Sequence, residues 1–195
     1  MKFGYQQPSH TFEGNRTIFE SLVDIVKRCE DEGYDSFWIM DHLIQIGMIG
    51  QPEEPIMESC TTLSALAPLT HEIKLGALCT CNFFRNPALL AKMGATIDQI
   101  SKGRFWLGLV AGWFEDETKR YSYKFESNKV RLQMLEESLQ IVNKAWTEDN
   151  PSFQGRYYSI NKLLLNPKPF QKPRPKDSRW RRWRACYSQT CCKIR

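Results

Sequence analysis

The chain has 195 residues, which is enough to bury one sizeable core and allows one domain or two small ones. Its 42% hydrophobic and 25% charged residues are typical of globular proteins and exclude a wholly disordered or collagen-like chain. The net charge of +5 belongs to the end of the chain, because residues 176–195 hold seven Lys/Arg and one acid while residues 1–175 hold 20 basic and 21 acidic residues.

The sequence shows neither a membrane segment nor a secretion signal. The longest nearly uncharged apolar run, residues 105–114, is far shorter than the roughly 20 residues that a membrane span needs. The N-terminus becomes polar too early for a signal peptide. We therefore expect no membrane contact and a cytoplasmic location.

The seven cysteines predict neither a disulfide framework nor a metal site. An odd number without a secretion signal argues against structural disulfides. Cys79 and Cys81 lack a second Cys/His pair at zinc-like spacing, so we interpret them as two residues of one strand.

Strands and helices alternate along the first part of the chain. Short apolar runs predict four strands, at residues 2–6, 36–40, 73–80 and 104–109. Helical periodicity and capping residues predict helices between them, at residues 18–33, 57–69 and 86–103. This order predicts an α/β fold with a parallel sheet that is covered on both faces or closed into a barrel.

Three further features follow the fourth strand. A polar stretch over residues 115–128 leads into a strong helix with a buried stripe from Leu132 to Trp146. Residues 153–158 suggest a small hairpin. Prolines between residues 167 and 175 make an extended approach that commonly leads into a buried strand, and no apolar strand follows.

Parallel α/β folds place their active sites at the carboxyl ends of the strands, which selects a small set of candidates. They are Gln6, Gln7 and His10 after the first strand, Asp41 and His42 after the second, Thr80 and Asn82 after the third, and Gly112 and Trp113 after the fourth. A histidine at a strand end can polarise a carbonyl or exchange a proton near neutral pH, and a neighbouring carboxylate can assist it. The alternative for the Asp-His pair is that it only caps a loop.

The fourth strand end offers two features with different alternatives. Gly112 could let the backbone approach a planar ligand, or could simply form a turn. Trp113 stands at the rim, whereas Trp38 and Trp106 fall in mid-strand and are expected in the core.

Three strings in the sequence carry a resemblance to a known family. Residues 37–42 read Phe-Trp-Ile-Met-Asp-His, residues 85–105 contain Arg-Asn-Pro-Ala-Leu-Leu-Ala-Lys and Asp-Gln-Ile-Ser-Lys-Gly-Arg-Phe, and residues 107–113 read Leu-Gly-Leu-Val-Ala-Gly-Trp. Together they resemble the bacterial luciferase-like monooxygenase family, and the similarity covers nearly all of residues 1–175.

The resemblance implies a (β/α)8 TIM barrel of which this chain carries the N-terminal part, with the C-terminal strands missing. It implies a flavin- or deazaflavin-dependent oxidoreductase that binds FMN or the deazaflavin coenzyme F-420 and acts on a small organic substrate by hydride transfer or O2 insertion. A flavin reductase or a second copy of the chain is the implied protein partner. The alternative is a catalytically inactive fragment of the same fold.

The resemblance also implies roles for individual residues. Asp41 and His42 would be catalytic and lie against the cofactor ring. The implied cofactor-binding residues are Leu78, Cys79, Thr80, Asn82, Gly112 and Trp113. A non-proline cis peptide is expected near Leu78–Cys79, within one residue. Trp113 departs from the family's sugar-phosphate dehydrogenases, which have an acidic residue there, so their substrate and acid-base chemistry are not expected here.

The tail over residues 176–195 has a composition unlike the rest of the chain, and we expect it to be out of frame or disordered. The family has an apolar strand and a run of phosphate-binding glycines where this chain reads Trp-Arg-Arg-Trp-Arg at residues 180–184. If the arginines use suitable codons, the same DNA bases read in a frame displaced by two encode glycines. The alternative is a basic, aromatic tail that binds nucleic acid.

The coding DNA tests the frame hypothesis. We expect a second reading frame after Pro175 to continue with an apolar strand and glycines. Sequencing the gene from independently prepared DNA checks this, and the absence of such a frame contradicts the hypothesis.

Overall fold

The computed structural model describes residues 2–177, and the hypotheses for the tail from residue 178 onward lie outside the described residues. The main strands are β1 Gly4–Gln7, β2 Ser36–Ile39, β3 Lys74–Cys81 and β4 Phe105–Val110. The helices are α1 Ile18–Asp31, α2 Ser59–Leu66, α3 Pro87–Ile100, α4 Glu115–Arg120 and α5 Asn128–Thr147, and a 3-10 turn over Ala67–Leu69 extends α2. The short strands are β5 Phe153–Gln154, β6 Ser159–Ile160 and β7 Lys176–Asp177.

The strands form the parallel sheet that the sequence predicts, in the order β1-β2-β3-β4-β7. Each of the first three connections runs through at least one helix, as parallel neighbours require. β5 and β6 form the predicted hairpin as a separate antiparallel pair. The described chain is therefore an open part of a parallel α/β fold.

The sheet contains one short strand that the sequence does not predict. The sequence offers no apolar strand after the prolines, yet Lys176–Asp177 pairs in parallel with β4, opposite Trp106 and Leu107. Contacts made earlier in the segment explain this placement, because Gln171 donates to the buried Asp98 carboxylate and to the carbonyl of Phe105. Backbone pairing needs no apolar side chain, so tertiary contacts place a strand that the composition does not predict.

Local sequence signals account for the helix starts. Thr17 and Glu20 form the predicted capping box at α1, and Asn86 caps α3 with Pro87 in its first turn. Glu58 caps α2 by accepting from the amides of Cys60 and Thr61. The polar stretch before α5 contains the short α4, which the sequence does not predict.

The core lies between the helices and one face of the sheet. Strand residues of that face include Phe37, Ile39, Leu75, Phe105 and Leu107, which pack against apolar residues of α1, α2, α3 and α5. The alternation of strand side chains places Trp38 and Trp106 on the other face, where their rings meet at 6.0 Å. Among residues 2–177, none of the helices combines the length and apolar character that a membrane crossing requires.

Gly76 provides the space for those two tryptophans. On β3, Gly76 lies opposite Trp38 of β2 on one side and opposite Trp106 of β4 on the other side. A Cβ atom on Gly76 would lie 2.5 Å from the Trp38 ring and 2.6 Å from the Trp106 carbonyl oxygen.

We therefore expect Gly76→Ala to lower the free energy of unfolding by about 1–3 kcal/mol, because the extra methyl forces the Trp38 ring and the β4 backbone apart. Urea denaturation followed by circular dichroism measures the change. Gly47→Ala is the matched control, since a Cβ there meets nothing within 4 Å. Equal stability of the two variants would contradict the packing argument.

Candidate active site

A cavity of about 360 Å³ opens where the carboxyl ends of the four main strands meet. Gln6 borders it from β1, Asp41 and His42 from the segment after β2, and Leu78 and Cys79 from β3. The side chains come from separate parts of the chain because parallel strands place all their carboxyl ends at one rim.

The second half of the lining comes from the segments after β3 and β4. Phe83 and Phe84 form one aromatic side of the cavity, and Trp113 and Phe114 form another. Glu117 of α4 completes the polar part of the lining. The candidates that the structure brings together are thus Gln6, Asp41, His42, Leu78, Cys79, Gly112 and Trp113.

The carboxylate of Asp41 is buried and fully engaged. Both of its oxygens accept from the guanidinium of Arg85, at 2.7 and 2.8 Å, in a bidentate ion pair. The backbone amide of Cys81 donates to it at 2.7 Å, and the hydroxyl of Ser59 donates to the other oxygen. Asp41 therefore ties the end of β2 to the end of β3 and to α2.

Arg85 extends this network to a second carboxylate. Its guanidinium also binds Glu58, the residue that caps α2. Burial disfavours the charge on Arg85, but the hydrogen bonds and charge of Asp41, together with Glu58, outweigh it and hold the pKa of Arg85 above its usual value. Arg85 was expected only as part of the family string, and the helix-start signal beside it does not reveal this pairing.

His42 has a partner that the sequence analysis missed. Its Nδ1 lies 3.0 Å from a carboxylate oxygen of Glu117, whose side chain is only 2% exposed against 17% for His42. The other carboxylate oxygen of Glu117 accepts from the backbone amides of Leu43 at 2.5 Å and Ile44 at 3.2 Å. No local sequence signal indicates this pairing, because Glu117 lies 75 positions after His42 in a short helix of mostly charged residues.

Aromatic rings hold the His42 imidazole on its other sides. Trp113 and Phe114 both pack edge-on against the imidazole, with ring centroids 5.6 Å and 6.1 Å from the imidazole centroid. These two rings stack on each other at 5.2 Å, and Trp113 is 51% exposed at the rim. The expected rim position of Trp113 is confirmed.

The wall formed by β3 is neutral. The peptide between Leu78 and Cys79 is cis, at the expected position. Burial and the charge of Asp41 raise the pKa of the Cys79 thiol to about 11, and burial raises that of Cys81 to about 12. Both sulfurs remain protonated near neutral pH and offer a weakly polar surface rather than a nucleophile.

Gly112 is required by both backbone and space. Its φ of +78° lies in the left-handed region, and a Cβ would collide with the ring of Phe83 and the sulfur of Cys81. Its carbonyl accepts from Arg131 at 3.2 Å. The turn interpretation of Gly112 is confirmed, and its approach to a planar ligand stays a prediction.

Several candidates lie outside the lining of the cavity. Thr80 and Asn82 are buried. The backbone N–H of Asn82 donates to the backbone carbonyl of Val110, and this bond joins the ends of β3 and β4. Gln7 donates to the carbonyl of Ser9. His10 accepts from the amide of Met57 at 2.8 Å, and burial lowers its pKa. These residues shape the rim without facing the cavity.

No group of three or more His, Cys, Asp and Glu side chains in the described residues is placed to hold a metal ion. The cysteines in that part of the chain, Cys29, Cys60, Cys79 and Cys81, are all free. The polar groups of the cavity are thus His42, the carboxylates of Asp41 and Glu117, and a few uncharged side chains.

A sequence model for the family described as luciferase-like monooxygenase matches residues 1–187. An FMNH2-dependent dimethylsulfone monooxygenase of Pseudomonas putida is 37% identical over 118 residues, which cover 60% of this chain and 32% of that protein. An F420-dependent glucose-6-phosphate dehydrogenase of Amycolatopsis mediterranei is 30% identical over 172 residues, covering 88% of this chain and 49% of that protein.

The fold has solved counterparts as well. A crystal structure of monooxygenase RslO1 from Streptomyces bottropensis superposes with a TM-score of 0.76 at 21% identity, covering 91% of this chain and 52% of that one. At this identity the likeness concerns the fold. In all three comparisons the chain spans about half or less of the matched protein's length.

The Asp41–Arg85 pair predicts a large effect of a small substitution. We expect Asp41→Asn to lower the free energy of unfolding by about 3 kcal/mol, because it removes the charge that pairs with the buried guanidinium of Arg85. The NH2 group of the new asparagine would also face N–H donors instead of acceptors. Urea denaturation measures the change. Asp116→Asn is the control, since its ion pair with Arg120 lies exposed on α4. A loss no larger than in this control would contradict the role given to Asp41.

Proposed function

The chain belongs to the luciferase-like monooxygenase family, and on that basis we propose that it forms the ring-binding part of a flavin- or deazaflavin-dependent oxidoreductase. One observation carries the proposal: Leu78, Cys79, Gly112 and His42, from three separate strand ends, border one cavity. The matched relatives are oxidoreductases that are named for FMNH2 or for F420.

The residues of the cavity fit a flat and largely apolar ring system. Phe83 and Phe84 supply aromatic surface, and the thiols of Cys79 and Cys81 stay neutral beside them. A volume of about 360 Å³ lies in the range of about 300–1,000 Å³ that small-molecule pockets occupy. We propose FMN or the deazaflavin coenzyme F-420 as the group that this part of the chain holds.

Such a cofactor, when bound, supplies a hydride or the means to activate O2. The chain's own contribution is to orient the ring and to manage a proton. Leu78 and Cys79 form the surface on which the ring would rest, and Gly112 keeps the opposite turn free of a side chain. His42 is the group in the lining that we propose to exchange a proton with a substrate.

Asp41 supports this chemistry indirectly. Its carboxylate has no free lone pair directed at a ligand, because Arg85, Ser59 and the Cys81 amide occupy it. We propose that Asp41 holds the β3 wall in place while His42 acts on the substrate. Asp41 is then a positioning residue, and the catalytic role implied for it by the resemblance passes to His42 alone.

The substrate and partners are part of the proposal. A small organic molecule is the substrate class, and the open aromatic rim at Trp113 and Phe114 is where it would enter. A flavin reductase is the proposed partner if the cofactor is reduced FMN, and a second copy of the chain is the other candidate. We propose the cytoplasm as the location.

Ring binding can be tested without the rest of the cofactor. We expect lumiflavin or its 5-deaza analogue, which are bare ring systems, to bind the purified chain with a change in ligand fluorescence. Leu78→Trp should weaken binding at least tenfold, because the indole fills the space of the ring. Leu89→Trp is the control, since Leu89 is exposed on α3 and does not border the cavity.

Two results would decide against the proposal. If neither ring compound binds, and FMN and F-420 also fail to bind, the chain is an inactive fragment of the fold. If Leu78→Trp and Leu89→Trp bind the ring equally well, the ring occupies another site.

A further inference from the structure

We infer that Glu117 is a positioning residue that keeps the proton of neutral His42 on Nδ1, so that Nε2 presents its lone pair to the cavity. This inference rests on the proposed function, since it assigns the direction of the proton transfer that His42 performs. A sequence-based reading of His42 leaves open whether it donates to a carbonyl or accepts a proton. The surroundings of Glu117 decide between the two.

The contacts of Glu117 are the basis for placing the proton. One carboxylate oxygen receives two backbone N–H groups, from Leu43 and Ile44. The other oxygen lies 3.0 Å from Nδ1 of His42. The two N–H donors on one oxygen match a carboxylate that accepts hydrogen bonds, and the contact of such a carboxylate with Nδ1 requires a proton on Nδ1. The neutral ring can carry only one proton, and Nε2 is then the acceptor.

The protein holds this arrangement from several sides. Both backbone groups of Leu43 are hydrogen-bonded. Its N–H donates to Glu117, and its carbonyl accepts from the hydroxyl of Tyr121 at 3.1 Å. Trp113 and Phe114 pack against the imidazole edge-on. A flip of the ring would leave the buried Glu117 oxygen without its donor, which costs free energy.

Glu117 is also the charged group that contacts the imidazole. The carboxylate of the adjacent Asp41 forms an ion pair with Arg85, and Arg85 forms a second ion pair with Glu58. Among the described residues, no side chain or backbone group hydrogen-bonds to Nε2 of His42. Nε2 is therefore the ring nitrogen left for a substrate.

This geometry gives His42 a defined part in the reaction. As the neutral ring, it accepts a proton from the substrate at Nε2: the substrate X–H bond breaks, its electron pair stays on X, and an Nε2–H bond forms. The imidazolium that results lies against the Glu117 carboxylate, which stabilises its charge. In the reverse direction the same Nε2–H returns the proton.

The tautomer can be observed directly by nitrogen-15 NMR of histidine-labelled protein, without cofactor or turnover. The spectrum is recorded at a pH where the imidazole is neutral, and the His42 signals are those that disappear in His42→Gln. We expect the proton on Nδ1 in the wild type. Its presence on Nε2 would overturn the inference.

A single substitution should reverse the hydrogen bond. In Glu117→Gln, the amide oxygen can still accept from Leu43 and Ile44, while the amide NH2 group donates to Nδ1 and moves the His42 proton to Nε2. Glu115→Gln is the control, because Glu115 is an exposed residue of the same helix paired with Lys119. An unchanged tautomer in folded Glu117→Gln would contradict the role of Glu117.

The outcome is separable from that of the proposed function. Binding of lumiflavin depends on the walls at Leu78 and Gly112, whereas the tautomer depends on Glu117. A protein with the proton on Nδ1 that binds no ring compound would refute the proposed function and leave the inference about the imidazole intact. A protein that binds the ring with the proton on Nε2 would do the reverse.

Discussion

The rim of the sheet depends on one buried ion pair, between Asp41 and Arg85. Two charges removed from water are stable only while each has its partner and its other hydrogen bonds are filled. Here Ser59, the Cys81 amide and Glu58 fill them, and these groups lie on different elements. The pair thus requires that the end of β2, the end of β3 and the start of α2 stay in one arrangement.

A second set of anchors orients the residues that face the cavity. Glu117 of α4 and Tyr121, directly after α4, hold the segment after β2, and Arg131 of α5 holds the turn at Gly112. Polar contacts of this kind surround the cavity, whereas its walls are aromatic rings and protonated thiols. The anchors fix the positions of the residues that line the cavity, as the proton transfer that we propose for His42 requires.

Local signals in the sequence predicted most of the fold. The capping box at Thr17 and the Asn86-Pro87 start specify helices because they satisfy backbone groups within a few residues. The four apolar runs and their alternation with helices predicted a parallel sheet. The sequence did not predict the short α4, because six mostly charged residues give no periodic pattern. It did not predict β7, because the place of this strand depends on the contact between Gln171 and Asp98.

The sequence by itself determined the family, the parallel sheet and the rim on which Asp41, His42, Gly112 and Trp113 stand, because these follow from motifs and from the order of elements. Only the tertiary structure decided which groups Asp41 and His42 contact. It pairs Asp41 with Arg85, 44 positions later, and His42 with Glu117, 75 positions later. No local pattern encodes such partners, since a buried charge is matched by whichever group the packing brings within hydrogen-bond distance.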